Sequence, residues 1–268
     1  MQAAFVPVRP FDLFAPGAGP VLALVASRVS GLVLIAPVFS AKTVPMTIRT
    51  AIVLVISALM LPVALSRAAA GVVITPETVL GETLVGFAIG LGAAVFVGAA
   101  EAAGELIATQ SGMSGAALLD PLNNSQSPVI GQFVNLFAVT MMLAVDAHLV
   151  MLDALAASTR YVPVGSTIDA AAGAKAMLSL GGLLFATGFK FAAPVVAAVM
   201  VANVALAVLS RAAPQLNILS VAFPLQIGVG LFALACSLPL LATHFGTWAG
   251  SYDTLLTGLL GAFTGGRP

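Results

Sequence analysis

Eight ionisable residues interrupt otherwise apolar runs: Arg28, Glu82, Glu101, Glu105, Asp146, His148, Asp153 and Lys190. On insertion scales each costs about 2.5 to 3.5 kcal/mol at the centre of a membrane helix, so each is expected to face protein, water or another charge. Glu101 and Glu105 stand four residues apart, which places two like charges on one helical face. A cation from elsewhere, Lys190 or Arg28, is expected to approach that face. Such a set could relay protons or ions. The plainer reading is pairing between helices or subunits, and it is preferred because the acids fall near helix ends, within reach of water or headgroups.

Other chemistries are weaker. Gly112-Met113-Ser114-Gly115 resembles the serine string of rhomboid-like intramembrane proteases, and histidines stand at 148 and 244. A serine nucleophile needs a base within hydrogen-bond reach, at a position that substrate and water can enter. In rhomboids the serine opens an apolar helix, whereas here Asp120-Pro121 and a polar stretch follow. The string therefore reads as a flexible turn, and no enzyme is expected. Cys236 is the single cysteine, so neither a disulfide framework nor a Cys/His metal spacing is available. No phosphate-binding glycine loop, dinucleotide fingerprint or zinc-protease motif occurs, so no metal or cofactor is expected.

The elements that must hold these residues are membrane helices. The chain has 268 residues, of which 60% are hydrophobic and 7% charged, with a mean hydropathy of +1.12. A soluble domain carries roughly a quarter charged residues, and this chain has too few to cover a water-facing surface. A formal net charge of zero argues against capture of nucleic acid. A spanning helix needs about 20 mainly apolar residues. The candidates are Val21 to Phe39, Ile48 to Leu65, Val79 to Ala100, Val129 to Leu152, Leu178 to Leu209 and Leu219 to Leu241. Six spans in a single all-α unit, 1–268, are expected, with Pro224 and Pro239 bending the last. Tyr252 to Phe263 is too short to span and reads as an interfacial or docking helix. Met1 to Pro20 holds four prolines and no apolar core, so no cleavable signal peptide is expected. The balance of Lys and Arg between loops is too even to fix sidedness.

Connections are short except for Thr109 to Pro128, whose Gly112, Gly115, Pro121, Asn123, Asn124 and Pro128 favour turns. A loop of that length is more often functional than a mere connector. Gly86-Phe-Ala-Ile-Gly90 forms a small-xxx-small face, suited to close helix packing in lipid, either within the chain or against another subunit.

Three stretches resemble one family. Arg28-Val-Ser-Gly31 opens an apolar helix ending in Pro37-Val38-Phe39, followed by Val44-Pro45 and Arg49. The Gly112 to Pro128 loop carries Asp120-Pro121 and precedes Gly131-Gln-Phe133, His148 and Pro163-Val-Gly165. Ser210-Arg-Ala-Ala-Pro-Gln-Leu-Asn217, continued as ILSVAFPLQIGVGL, is the most specific. Together these are similar to the FliR/SctT family of flagellar and injectisome export apparatus, with Leu219 where flagellar members often have an aromatic.

The resemblance implies FliP-like and FliQ-like helical hairpins in a structural and gating subunit. That subunit would form an inner-membrane export channel for unfolded substrates with FliP and FliQ, and contact FlhB and FlhA. It also implies that the long loop plugs the closed channel, over Gln110, Gly112, Met113, Gly115, Ala116, Ala117, Asp120, Pro121, Asn123 and Asn124. Its signature turn is Arg211, Pro214, Gln215 and Asn217. From the residues alone, Pro214 ends a helix, Arg211 favours that helix's C-terminal dipole, and Gln215 and Asn217 can satisfy orphan backbone groups. The alternatives left open are an injectisome subunit and, more distantly, a stand-alone ion-coupled transporter.

Overall fold

The computed structural model describes residues 17–40, 44–69, 71–113, 129–215 and 218–265. Among these, eight helices form and no strand does. They are α1 Ala18–Ile35, α2 Met46–Leu65, α3 Pro76–Gln110, α4 Val129–Ala144, α5 Ala147–Tyr161, α6 Ala170–Ala212, α7 Ile218–Gly246 and α8 Trp248–Phe263. Five (α1, α2, α3, α6 and α7) are long and apolar enough to cross a membrane, and α4 with α5 make a sixth if a broken pair counts as one span. The chain is thus an all-α, multi-pass membrane protein.

Helix ends follow local chemistry. Thr75 and Thr78 exchange bonds at the start of α3, the Thr75 N–H to Thr78 Oγ1 at 2.9 Å and the Thr78 N–H to Thr75 Oγ1 at 3.2 Å. Pro76 lies between them at the first helical position, where a missing N–H costs nothing. Asp169 Oδ1 accepts the Ala172 N–H at 2.9 Å and caps α6. At the other end of α3, Met113 N–H donates to Ala108 O at 3.1 Å and Gly112 N–H to Thr109 O at 3.2 Å, with Gly112 at φ +74. This is a glycine-terminated Schellman end. The polar stretch therefore begins later than expected: Thr109 and Gln110 are helical, because the first residue able to reverse the helix without a Cβ penalty is Gly112.

Two expectations for single helices meet different fates. The fourth span is broken at Val145–Asp146, where Asp146 takes φ +54 and its carbonyl accepts the N–H groups of Leu149 and Val150 to start a new helix. Asp tolerates this left-handed conformation better than most residues. By contrast, α7 runs through both Pro224 and Pro239 as one helix.

Contacts gather the chain into two units, each drawn from separated segments: 1–94, 146–180 and 249–268 in the first, 95–145 and 181–248 in the second. In the first unit α1 lies on the opening half of α3 through glycine. A methyl group at Gly86 would sit 1.9 Å from the Arg28 carbonyl oxygen, and one at Gly31 would sit 2.4 Å from that of Thr83. The small face at Gly86 and Gly90 thus serves packing within the chain. The short helix α8 seats Tyr252 and Leu255 over Gly92, and Tyr252 Oη donates to Ile89 O at 2.9 Å. In the second unit α6 meets α3 where Gly188 approaches Ala99, and α4 meets α3 where Gly131 approaches Gly104.

Candidate functional site

Arg28 and Glu82 build the charged centre of the first unit. Arg28 sits mid-α1, one turn from the glycine contact that draws α1 onto α3, and Glu82 sits one turn before Gly86. Arg28 Nε donates to Glu82 Oε2 at 2.5 Å, with side chains 2% and 3% exposed. The two Nη atoms reach α5 and its exit: Nη1 donates to Ser158 Oγ and Nη2 to Val162 O, each at 2.9 Å. The second carboxylate oxygen, Glu82 Oε1, accepts the N–H of Gly165 at 2.9 Å. Gly165 has φ +78, the left-handed conformation that glycine adopts freely.

The backbone of the same turn is held again, since Ala69 N–H donates to Val164 O at 3.0 Å. Arg67 Nη1 donates to Thr159 Oγ1 at 3.0 Å beside it. One buried ion pair therefore joins α1, α3, α5 and the 162–165 turn. Buried pairs of this kind hold when hydrogen bonds satisfy both partners, and both are satisfied here.

The polar groups of the second unit are arranged differently. Glu101 and Glu105 are exposed on the closing half of α3. Glu101 Oε2 accepts a hydrogen bond from Asn135 Nδ2 of α4 at 2.9 Å. No cation pairs with either glutamate among the described residues. Arg28, expected as a candidate, is held by Glu82 in the other unit, because α1 packs on the Gly86 end of α3. Lys190 is exposed on α6. Around His244, Phe191 makes an edge contact with ring centroids 4.8 Å apart and Phe96 a tilted one at 6.2 Å.

At the end of α3, Ser111 is fully buried against α7. A methyl group at Gly230 would meet Ser111 Oγ at 2.3 Å, and one at Gly112 would meet Gln226 Oε1 at 3.0 Å. Gln226 Nε2 donates to Asn203 Oδ1 of α6 at 2.6 Å.

Of the loop positions expected to plug a channel, Gln110 is the last residue of α3, and Gly112 and Met113 form its terminating turn. Gly115, Ala116, Ala117, Asp120, Pro121, Asn123 and Asn124 lie outside the described residues. Arg211 occupies the last turn of α6, and Pro214 and Gln215 form an exposed turn after it. Asn217 lies outside the described residues. The role of Glu82 as partner of Arg28 was not anticipated. Its signal was available: Arg28 is the lone base of the first apolar run, and Glu82, near the start of the third, is the lone acid of that run. Ser158, Ser111 and Gln226 gave no such signal, since an uncharged polar residue in a helix is common.

A profile of the bacterial export proteins, family 1, matches residues 20–251. The chain belongs to this family. Several relatives of this export chain bear one name, flagellar biosynthetic protein FliR. That of Pectobacterium carotovorum subsp. carotovorum is 31% identical, over 80% of this chain and 82% of its own length. That of Caulobacter vibrioides is 31% identical over 88% and 94% respectively. That of Escherichia coli strain K12 is 29% identical over 80% and 83%. None of these names is that of an enzyme. The family match covers the Arg28–Glu82 centre, the end of α3 and α7, so both sites belong to the export-family part of the chain.

Proposed function

We propose that this chain is a structural and gating subunit of the flagellar type III export gate in the bacterial inner membrane. It forms the channel for unfolded substrates with FliP and FliQ and contacts FlhB and FlhA. Beyond the family match, one observation carries this reading: the apolar surface of α6 is too long for a bilayer. The helix has 43 residues, about 65 Å at 1.5 Å per residue, against a hydrocarbon core of about 30 Å. Large exposed hydrophobics run along it from Leu178 through Phe189 and Met200 to Leu209. Only 22% of its most apolar stretch is buried within the chain, as in α7, against 67% in α3. The exposed apolar run from Leu178 to Leu209 alone is about 48 Å long, so lipid covers about two thirds of it and other protein must cover the rest.

Neighbouring subunits with long apolar helices meet that need, and a stand-alone transporter does not. The test is a mild-detergent pull-down of the tagged chain from its native cells with mass spectrometry of the captured proteins. Recovery of FliP and FliQ in excess over the chain is expected. A monomer or self-oligomer, in cells that express both partners, would overturn the proposal.

A further inference from the structure

Ser111 stands out among the hydroxyls of the described residues. Those of Ser27, Ser57 and Thr109 turn back to the carbonyl four residues earlier, at 3.1, 2.6 and 2.9 Å. Ser111 is 0% exposed and its Oγ has no hydrogen-bond partner. A buried polar group left unpaired destabilises the arrangement that buries it, and an uncovered one recovers its bond from water. The surrounding fit is otherwise close. Gly230 of α7 leaves room for Ser111, with Val199 of α6 behind it, and Phe223 and Gln226, the latter one turn before Gly230, flank Gly112. Asn203 accepts from Gln226 Nε2, which turns Gln226 Oε1 toward Gly112.

We propose that the end of α3 is a releasable latch on α7: shape fit at Phe223, Gln226 and Gly230 docks Ser111–Gly112, and the unpaired Ser111 hydroxyl keeps that docking weak enough to undo. The two terms are separable by substitution. Ser111→Ala removes the unpaired group with little change of shape and tightens the latch. Gly230→Ala places a methyl on Ser111 Oγ and loosens it. With both changes the clash falls on the Ser111 Cβ position alone, 3.1 Å away, so the double variant returns toward the parent.

That this latch governs channel opening rests on the export-gate reading, because the segment after it is the proposed plug. The test is amide exchange at Ser111 and Met113, which donate to Ile107 O and Ala108 O, in the full chain purified in detergent. It is paired with ion conductance of cells carrying the same variants. Gly230→Ala is expected to speed exchange about tenfold, equivalent to about 1.4 kcal/mol, Ser111→Ala to slow it, and the double variant to fall between. Conductance should follow in the same order. Unchanged exchange in Gly230→Ala, or faster exchange in Ser111→Ala, would overturn the latch. Exchange that shifts as stated with conductance unmoved would retain the latch and overturn its link to gating.

Discussion

One helix carries two kinds of carboxylate. Near its start, Glu82 is buried and bonded through both oxygens, to Arg28 and to the Gly165 N–H. Nineteen to twenty-nine residues on, Glu101 has one amide partner, Glu105 has no ion pair among the described residues, and Ser111 is buried with none. The first unit uses one buried ion pair as internal cement, bonded through both carboxylate oxygens, while its Glu77, Asp153 and Lys175 stay exposed. The second has no buried ion pair among the described residues: Glu101, Glu105 and Lys190 are exposed.

The largest effect is expected from Glu82→Ala, which strands Arg28 in an apolar interior and should cost about 3–5 kcal/mol. Urea unfolding in detergent, followed by the single tryptophan, Trp248, would measure it. Replacing both partners together, Arg28→Met with Glu82→Leu, should lose far less. Equal losses in the two variants would show that the pair does more than satisfy itself. Next comes Gly86→Ala, whose methyl falls on the Arg28 carbonyl. Separating α1 from α3 should cost about 1–3 kcal/mol and raise protease cleavage near Arg28.

Tyr252 tests the cement more gently. Burial pushes its phenol above the ordinary value of about 10, because phenolate loses its water. Stability from the neutral phenol is complete below about pH 10 and falls as the pH rises beyond it. Tyr252→Phe should cost about 1 kcal/mol at neutral pH through the lost bond to Ile89 O, and should lessen the alkaline loss. An unchanged alkaline midpoint would remove Tyr252 from that account. The smallest effect on the isolated chain belongs to Glu101→Gln with Glu105→Gln, within about 0.5 kcal/mol. The same double variant should reduce the captured partners. Undiminished capture would break the comparison, since the exposed acids would then serve no subunit contact.

Membrane class, the approximate number of spans and most helix cores were legible in the chain because lipid demands long apolar runs and satisfied backbone, and both are local in sequence. The break at Asp146 was not, since a left-handed residue inside an apolar run leaves the run's hydropathy unchanged. Gly112 was legible as a turn, yet the end it gives to α3 needs the bonds to Ala108 and Thr109. Arg28, Glu101, Glu105 and Lys190 were all visible as misfits in lipid, and their partners were not. Ordinary spacing rules reach three or four residues along a helix, whereas Arg28 meets Glu82 across 54 residues and Ser158 across 130.

The sequence by itself determined the solvent of this protein, its all-helical class and its family, because these depend on composition, run length and short local patterns. Tertiary structure alone decided which charge is matched to which. That choice is set by where glycine lets two helices touch, and Gly31 and Gly86 bring α1 to the Glu82 end of α3 and away from Glu101 and Glu105.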